Sequence, residues 1–387
     1  MNPASDFLMS QPPIRQSQVS EKIHALTSLR FFAALYVVCY HSLHTSSLLP
    51  SMSGGLIDKF LSLGYVSVSF FFLLSGYILG MVYLRDGKPI KKKSFYSARF
   101  ARIYPLFLCT QVADTPHYWF GLARAGFMHA VSQTAMVFSA ELLMLQAWSP
   151  HFRYINYPSW SLSVEALFYL IFPVVGVSLW RLKGSALWAT AVAFWVGSQL
   201  SIYWLEPHIK EYAASYNPLL HLPTFLLGIL LARWEVSRRD AGSKTSSSFA
   251  IAAAIAFILV CTAAMFLLMP ILPRENLNHG LMAPIFILTI WVFSRSRNIP
   301  SRIFSVRWLV VLGDASFGLY LIHVPVLNWY QSMHWTESST LYATYLIVCI
   351  GMSVLSFYYI ESPSRKWILK QMHTPSKETI EAASDAQ

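Results

Sequence analysis

Leu29-Arg30-Phe31-Phe32-Ala33-Ala34-Leu35-Tyr36-Val37-Val38-Cys39-Tyr40-His41 opens an apolar block that runs on to about residue 49. An α-helix rises 1.5 Å per residue, so about 20 such residues reach across a hydrocarbon core about 30 Å thick. The block is a candidate membrane span, and it carries an arginine and a histidine inside it. Nine more blocks of spanning size follow, at 66–84, 125–147, 161–180, 185–204, 218–234, 247–270, 277–294, 308–330 and 339–360. Of the 387 residues 55% are hydrophobic and 12% charged, where a soluble globular protein carries about 25% charged residues. That shortage excludes one large soluble core and makes the lipid bilayer the expected surroundings. Backbone polar groups in lipid must be satisfied within the chain, so the expected fold is all-α, a polytopic membrane helix bundle.

A shorter apolar run, Ile103 to Ala113, is ended by Asp114 and Pro116. It covers only about 16 Å, so residues 103–124 are expected to form a re-entrant or interfacial segment. The net charge of +11 would raise the question of nucleic acid in a soluble protein. Here the basic residues sit mainly in short loops between apolar blocks, so a positive-inside pattern replaces any nucleic-acid reading. The loop from Arg85 to Arg102 holds Arg85, Lys88, Lys91, Lys92, Lys93, Arg99 and Arg102 against Asp86. It is expected to be cytoplasmic, as are the loops with Arg233, Arg238, Arg239 and Lys244 and with Arg295, Arg297, Arg302 and Arg307. The end bearing Arg365, Lys366 and Lys370 joins them. Counting back places Trp148 to Trp160 outside. The simplest solution has about ten transmembrane helices and both termini cytoplasmic, with 125–147 crossing and 103–124 not.

Residues 1–24 form a polar N-terminal tail without a signal-peptide core, so no cleaved leader is expected. Residues 25–365 form the transmembrane domain. Residues 366–387 form a cytoplasmic tail, acidic and expected to be disordered from Thr374 onward. Cys39, Cys109, Cys261 and Cys349 lie in apolar segments without metal-ligand spacing and read as small buried residues, and no metal site is expected.

Polar groups inside spans are costly and so point to function. Arg30 and His41 are eleven residues apart, about three turns, and share a face about 16 Å apart along the axis. With Arg30 at the cytoplasmic end, His41 falls near mid-membrane, where a neutral imidazole suits a general base. A structural histidine bonded to a neighbouring helix is the alternative. Arg99 and Arg102, at i and i+3, could fork onto phosphate oxygens or simply anchor the chain at lipid headgroups. In Trp160-Ser161-Leu162-Ser163-Val164-Glu165-Ala166-Leu167-Phe168-Tyr169, Glu165 and Tyr169 stack on one face. A carboxylate there needs a partner, and a histidine or arginine of the first span would serve; the serines could only cap the helix. Ser316, Tyr320 and His323, within Gly313 to Pro325 and preceded by Asp314, fall at i, i+4 and i+7, lining either a polar cavity or an interhelical seam.

In these residues the chain resembles the integral-membrane acyltransferase family 3, whose members O-acylate sugars, peptidoglycan, lipopolysaccharide or small molecules. The Arg30/His41 pair carries the resemblance together with Val68 to Tyr77, Arg99/Arg102 with Tyr104-Pro105, Trp160 to Tyr169, Phe225 to Gly228, and Ser316 to Pro325. These motifs keep the family's order from about residue 25 to 365. Phe31, Ala166 and Ser69 depart from its usual glycine and acidic positions. With no esterase-like domain after the spans, the chain looks like the stand-alone form.

The resemblance implies a multi-pass acyltransferase of the bacterial inner (plasma) membrane. It would move an acyl group, acetyl by default, from acyl-CoA to a hydroxyl of a carbohydrate or glycoconjugate such as a polysaccharide or lipopolysaccharide. Acyl-CoA is then a co-substrate, and no bound cofactor is expected. Arg99 and Arg102 would dock the CoA phosphates, and His41 would act as base or acyl carrier. Glu165, with Tyr169, would orient the imidazole, and Arg30 would hold the donor or polarise its carbonyl. Ser316, Tyr320 and His323 would support the site. A transporter or flippase for a sugar-containing substrate fits composition and topology equally well, and only the ordered motifs argue against it.

Overall fold

The computed structural model describes residues 13–45, 55–152, 154–240, 248–268, 272–295, 298–333 and 338–373. Residues 1–12 and 46–49, Lys244, Arg297 and the acidic tail 374–387 lie outside the described residues. Within the described residues the chain is helical and has no strand.

In chain order the helices are α1 (Pro13–Thr45), α2 (Leu56–Leu61), α3 (Ser67–Leu79), α4 (Lys92–Ala123), α5 (Phe127–Leu142), α6 (Trp160–Trp180) and α7 (Gly184–Leu205). They continue as α8 (Glu211–Tyr216), α9 (Pro218–Asp240), α10 (Ser248–Leu268), α11 (Arg274–Asn278), α12 (Ala283–Phe293) and α13 (Ile299–Phe304). Last come α14 (Arg307–Asp314), α15 (Ser316–Ser332), α16 (Ser339–Ser356) and α17 (Ser362–His373). Single π turns, Gly80–Leu84 and Phe357–Glu361, extend α3 and α16.

Among the described residues, seven helical stretches are long and apolar enough to cross a membrane, and the pair α14–α15, bent by 56°, makes an eighth if it is one span. These eight correspond to eight of the expected spans. The other two differ for separate reasons. α1 has the length, but Arg30 and His41 dilute its apolar run. α5 has 16 residues, about 24 Å of helix, short of the core thickness.

The stretch expected not to cross is instead part of α4, a continuous helix of 32 residues, about 48 Å long. α4 is not among the helices apolar enough to cross a membrane, in keeping with the expectation for 103–124, whereas α5 falls short of the crossing expected for 125–147. Asp114 looks like a stop in the sequence because a lone carboxylate in lipid is costly. In the fold it is 2% exposed and accepts hydrogen bonds from the Asn156 backbone N–H and from Asn328 Nδ2, each at 2.9 Å. Partners 42 and 214 residues away satisfy it, and the helix runs on past Pro105 and Pro116. At the C-terminus, α17 carries helix to His373, into the region expected to be tail.

The core lies where α3, α6 and α9 meet. Phe168 stacks on Phe225 at 4.6 Å between centroids, and Phe72 meets Phe168 edge-on at 5.2 Å. α3 and α9 approach backbone to backbone through two glycines. A Cβ on Gly76 would collide with the Phe225 carbonyl, and one on Gly228 with the Leu73 carbonyl. Small residues do this where lipid gives no hydrophobic drive to helix association. By contrast, α7 buries only Leu187 and Ile202 and α10 buries none of its residues, so these two are the least buried of the long apolar helices. All four cysteines are free, and only Cys349 is buried; Cys109 is exposed on α4, which corrects its reading as a buried residue.

Candidate active site

α1 begins at Pro13, well before Leu29, because the polar residues ahead of the apolar block also join the helix. Arg30 is therefore mid-helix, and His41 follows eleven residues on along the same helix.

Arg30 opens into a cavity of about 150 Å³ between α1, α3, α4, α6 and α15. Nearly all of the expected site residues line it: Arg30, Arg99, Arg102, Glu165, Tyr169, Ser316 and Tyr320. Apolar side chains of α3, among them Val68, Phe71 and Phe72, line it as well. The cavity therefore concentrates three guanidinium groups and one carboxylate between apolar walls. Glu165 accepts a hydrogen bond from Tyr169 Oη at 2.9 Å, the i, i+4 contact expected from the sequence. The Ser316 hydroxyl donates to the Gly313 carbonyl at 2.7 Å.

The two arginines of α4 are held differently. The Arg99 guanidinium lies 5.8 Å from the ring centroids of both Tyr83 and Tyr169, and its Nη2 is 3.5 Å from Tyr83 Oη. Its Nε finds no hydrogen-bond partner among the described residues. Arg102 lies 3.7 Å from the carboxylate of Glu361 and sits over the Phe317 ring. Glu361, 4% exposed, comes from the π turn that follows α16. Gly318 on α15 admits it, since a Cβ there would stand 3.2 Å from Glu361 Oε1 and 2.5 Å from Ser356 Oγ.

His41 is not among the residues lining this cavity. It is bonded to His323, with Nδ1 of His41 2.9 Å from Nε2 of His323 and the two rings stacked at 4°. The Tyr157 ring meets His41 edge-on at 5.1 Å. The sequence pairs His41 with Glu165; the fold gives His41 a second histidine and gives Glu165 a tyrosine. Tyr320 joins the two clusters. It lines the cavity, its ring centroid is 6.1 Å from that of His323, and its hydroxyl donates to the Pro158 carbonyl at 2.9 Å.

The loop carrying Tyr157 and Pro158 is fixed by residues that sequence reading passed over. Asn156 adopts a left-handed backbone, φ 42°, and donates Nδ2 to the Leu321 carbonyl at 3.0 Å while its N–H goes to Asp114. Glu141, fully buried, accepts from Gln111 Nε2 at 2.6 Å and from the N–H groups of Tyr154 and Ile155. The available signal was the presence of carboxylates, Asp114 and Glu141, inside apolar stretches.

Residues 23–363 match a protein family described as an acyltransferase domain. An acyltransferase of Streptomyces mycarofaciens is 29% identical over 327 residues, covering 80% of this chain and 80% of that protein. A protein of Staphylococcus aureus strain COL, provisionally named an O-acetyltransferase, is 26% identical over 383 residues. That match covers 91% of this chain but 58% of the relative, so the chain spans little more than half of it. Nodulation protein 10 of Rhizobium leguminosarum bv. viciae is 26% identical over 365 residues, covering 87% of this chain and 92% of that protein. No solved structure matches the chain.

Proposed function

Because the chain belongs to the acyltransferase domain family, we propose that it moves an acyl group, acetyl by default, from cytoplasmic acyl-CoA to a hydroxyl of a carbohydrate or glycoconjugate at the inner (plasma) membrane. The observation that carries this reading is the cavity running from Arg99 and Arg102 to Tyr320, which borders the His41–His323 pair. Its volume is about 150 Å³. It fits the thioester end of acyl-CoA and not the nucleotide, which stays at the basic face.

In this scheme the CoA phosphates dock on Arg99 and Arg102, whose charged N–H groups suit phosphate oxygens. The pantetheine arm carries the thioester inward, and Arg30 polarises its carbonyl. With Nδ1 of His41 donating to His323, Nε2 of His41 takes the proton from the acceptor hydroxyl. The acceptor oxygen then attacks the thioester carbon, the C–S bond breaks, and the CoA thiolate takes the proton back from the imidazolium. His323 does for His41 what a carboxylate does in a triad: it fixes the tautomer and shares the positive charge. Glu165 offsets the guanidinium charges around the cavity and holds Tyr169, rather than orienting His41.

The test is transfer or hydrolysis of labelled acetyl-CoA by the purified protein in nanodiscs. His41→Ala should cost at least the ~10²–10⁴-fold typical of a general base while leaving the protein folded. A folded His41→Ala protein with near-normal turnover refutes the chemistry, and a wild-type protein that neither transfers nor hydrolyses acetyl-CoA favours the transporter.

A further inference from the structure

About one helical turn beyond Glu361, in α17, stands Arg365, which the sequence offers only as one of the basic residues that set topology. α17 packs along α4, the helix of Arg99 and Arg102. The contact of Glu361 with Arg102 at 3.7 Å fixes how the two helices are aligned. That alignment brings Arg365, which is partly buried, beside the same two arginines, and its strongest charged neighbours are Arg102 and then Arg99. Arg365 does not line the cavity that they line. It stands outside it, where α17 goes on to the basic residues Lys366 and Lys370.

The surroundings of Arg365 leave its charge largely unanswered. Among the described residues it makes no hydrogen bond and no ion pair. The groups that offset its charge are Tyr83 and Asp314. The Tyr83 hydroxyl already receives Arg99 Nη2 at 3.5 Å. Asp314 interacts first with Arg102 and Arg30, then with His24, and with Arg365 last. Glu361 is shared between Arg102 and Arg30, and Glu165 among Arg30, Arg99 and Arg102. Guanidinium groups brought together repel one another, and an anion placed beside the unpaired one relieves that repulsion.

CoA carries its phosphates in a fixed order: the pyrophosphate follows the pantetheine arm, and the 3′-phosphate lies beyond it on the ribose. With the pantetheine in the cavity, Arg99 and Arg102 on its lining meet the pyrophosphate, and a cation outside the cavity meets the group that comes after. We propose that Arg365 binds the 3′-phosphate of CoA, so that α17 as well as α4 recognises the donor. This rests on the acyl-CoA reading above and adds to it the residue that selects the nucleotide end.

The test is the binding of CoA and of 3′-dephospho-CoA to the purified full chain in nanodiscs, by titration calorimetry. Wild type should bind CoA about tenfold more tightly, the effect of one charge-assisted contact. Arg365→Gln should bind CoA about as weakly as wild type binds 3′-dephospho-CoA. It should bind 3′-dephospho-CoA as wild type does, which also reports that the variant is folded. Arg365→Lys keeps the charge without the planar fork and should retain part of the preference. A full preference in Arg365→Gln, or equal weakening toward both ligands, overturns the proposal. So does a loss of retained phosphatidylglycerol in Arg365→Gln, counted by native mass spectrometry, with the CoA preference intact: Arg365 would then serve a lipid headgroup. Wild type alone separates the two levels of the argument. If it binds both forms alike, only the role of Arg365 fails; if it binds neither, the acyl-CoA reading fails as well.

Discussion

At Arg99 the guanidinium lies between two tyrosine rings with its Nε unmatched, whereas Arg102 three residues on is already paired with Glu361. Spacing alone makes the two arginines equivalent, and their surroundings do not. Arg99 has more hydrogen-bonding capacity to give a phosphate. Arg99→Ala should therefore raise the apparent KM for acyl-CoA about tenfold or more, the loss of a charge-assisted contact of about 1.5–3 kcal/mol. Arg102→Ala should raise it less, because the pair with Glu361 is lost at the same time. Steady-state kinetics with varied acyl-CoA decide this, and an unchanged KM with a collapsed maximal rate would remove phosphate docking from Arg99. The histidines give a second prediction. His323→Ala should slow the reaction, and combined with His41→Ala it should be little worse than His41→Ala alone, since the two act through one imidazole. Multiplicative losses would mean separate roles. Arg30, His41 and Glu165 stood out in the sequence because charge inside an apolar run is conspicuous. The partners were not, since His323 lies 282 residues from His41 and pairing across that distance has no local pattern. Glu361 was hidden for a different reason: a carboxylate at the end of the last apolar run reads as a boundary.

The helices carry the same lesson at the next scale. Runs of apolar residues located up to eight described helical stretches long and apolar enough to cross, because in lipid a long apolar segment has no option but helix. α4 could not be read this way, since what keeps it helical past Asp114 is tertiary. One carboxylate joins three elements: α4 itself, the loop through Asn156, and Asn328 of α15. That loop presents Tyr157 to His41 and the Pro158 carbonyl to Tyr320, so the carboxylate supports the site from one side. Asp114→Ala would leave the Asn156 N–H and the Asn328 amide without their acceptor in a buried place. The expected loss is on the order of 1–3 kcal/mol for each orphaned group, read as a lower thermal midpoint in nanodiscs. Acyl transfer should fall with it as the Tyr157 loop loosens, and Asp114→Asn, which keeps one acceptor oxygen, should recover part of both. A midpoint unchanged in Asp114→Ala would show that the loop is held by Glu141 alone.

Across the whole molecule, α1 sets an order: Arg30 at the cavity comes first, and His41 of the histidine pair follows about 16 Å further along the helix axis. Such an order suits a reaction with its two substrates on opposite faces: the donor at the basic face, the acceptor at the end of α1 beside the Tyr157 loop. It requires an odd number of crossings between Arg102 and Trp148. Loop charge demanded that parity, and the greater length of α4 makes it our candidate for the crossing, although its composition is not that of an apolar span. About 48 Å of α4 can span, whereas α5 turns back only far enough for Leu142 to meet Tyr104, whose hydroxyl donates to its carbonyl at 3.2 Å. We therefore expect α4 to cross and α5 to lie on the outer side, so that residues 126 and 148 share a face that residue 88 does not. Single cysteines at Gly126, Trp148 and Lys88, in a background without the four native cysteines, test this with an impermeant maleimide added to intact cells. Gly126→Cys and Trp148→Cys should label at once, and Lys88→Cys only after the membrane is opened. Labelling at 126 without labelling at 148 would make α5 a second crossing and put the Tyr157 loop on the donor side. The acceptor would then have to reach His41 from the same face as acyl-CoA, and the two-sided scheme would fail even if His41 remained essential.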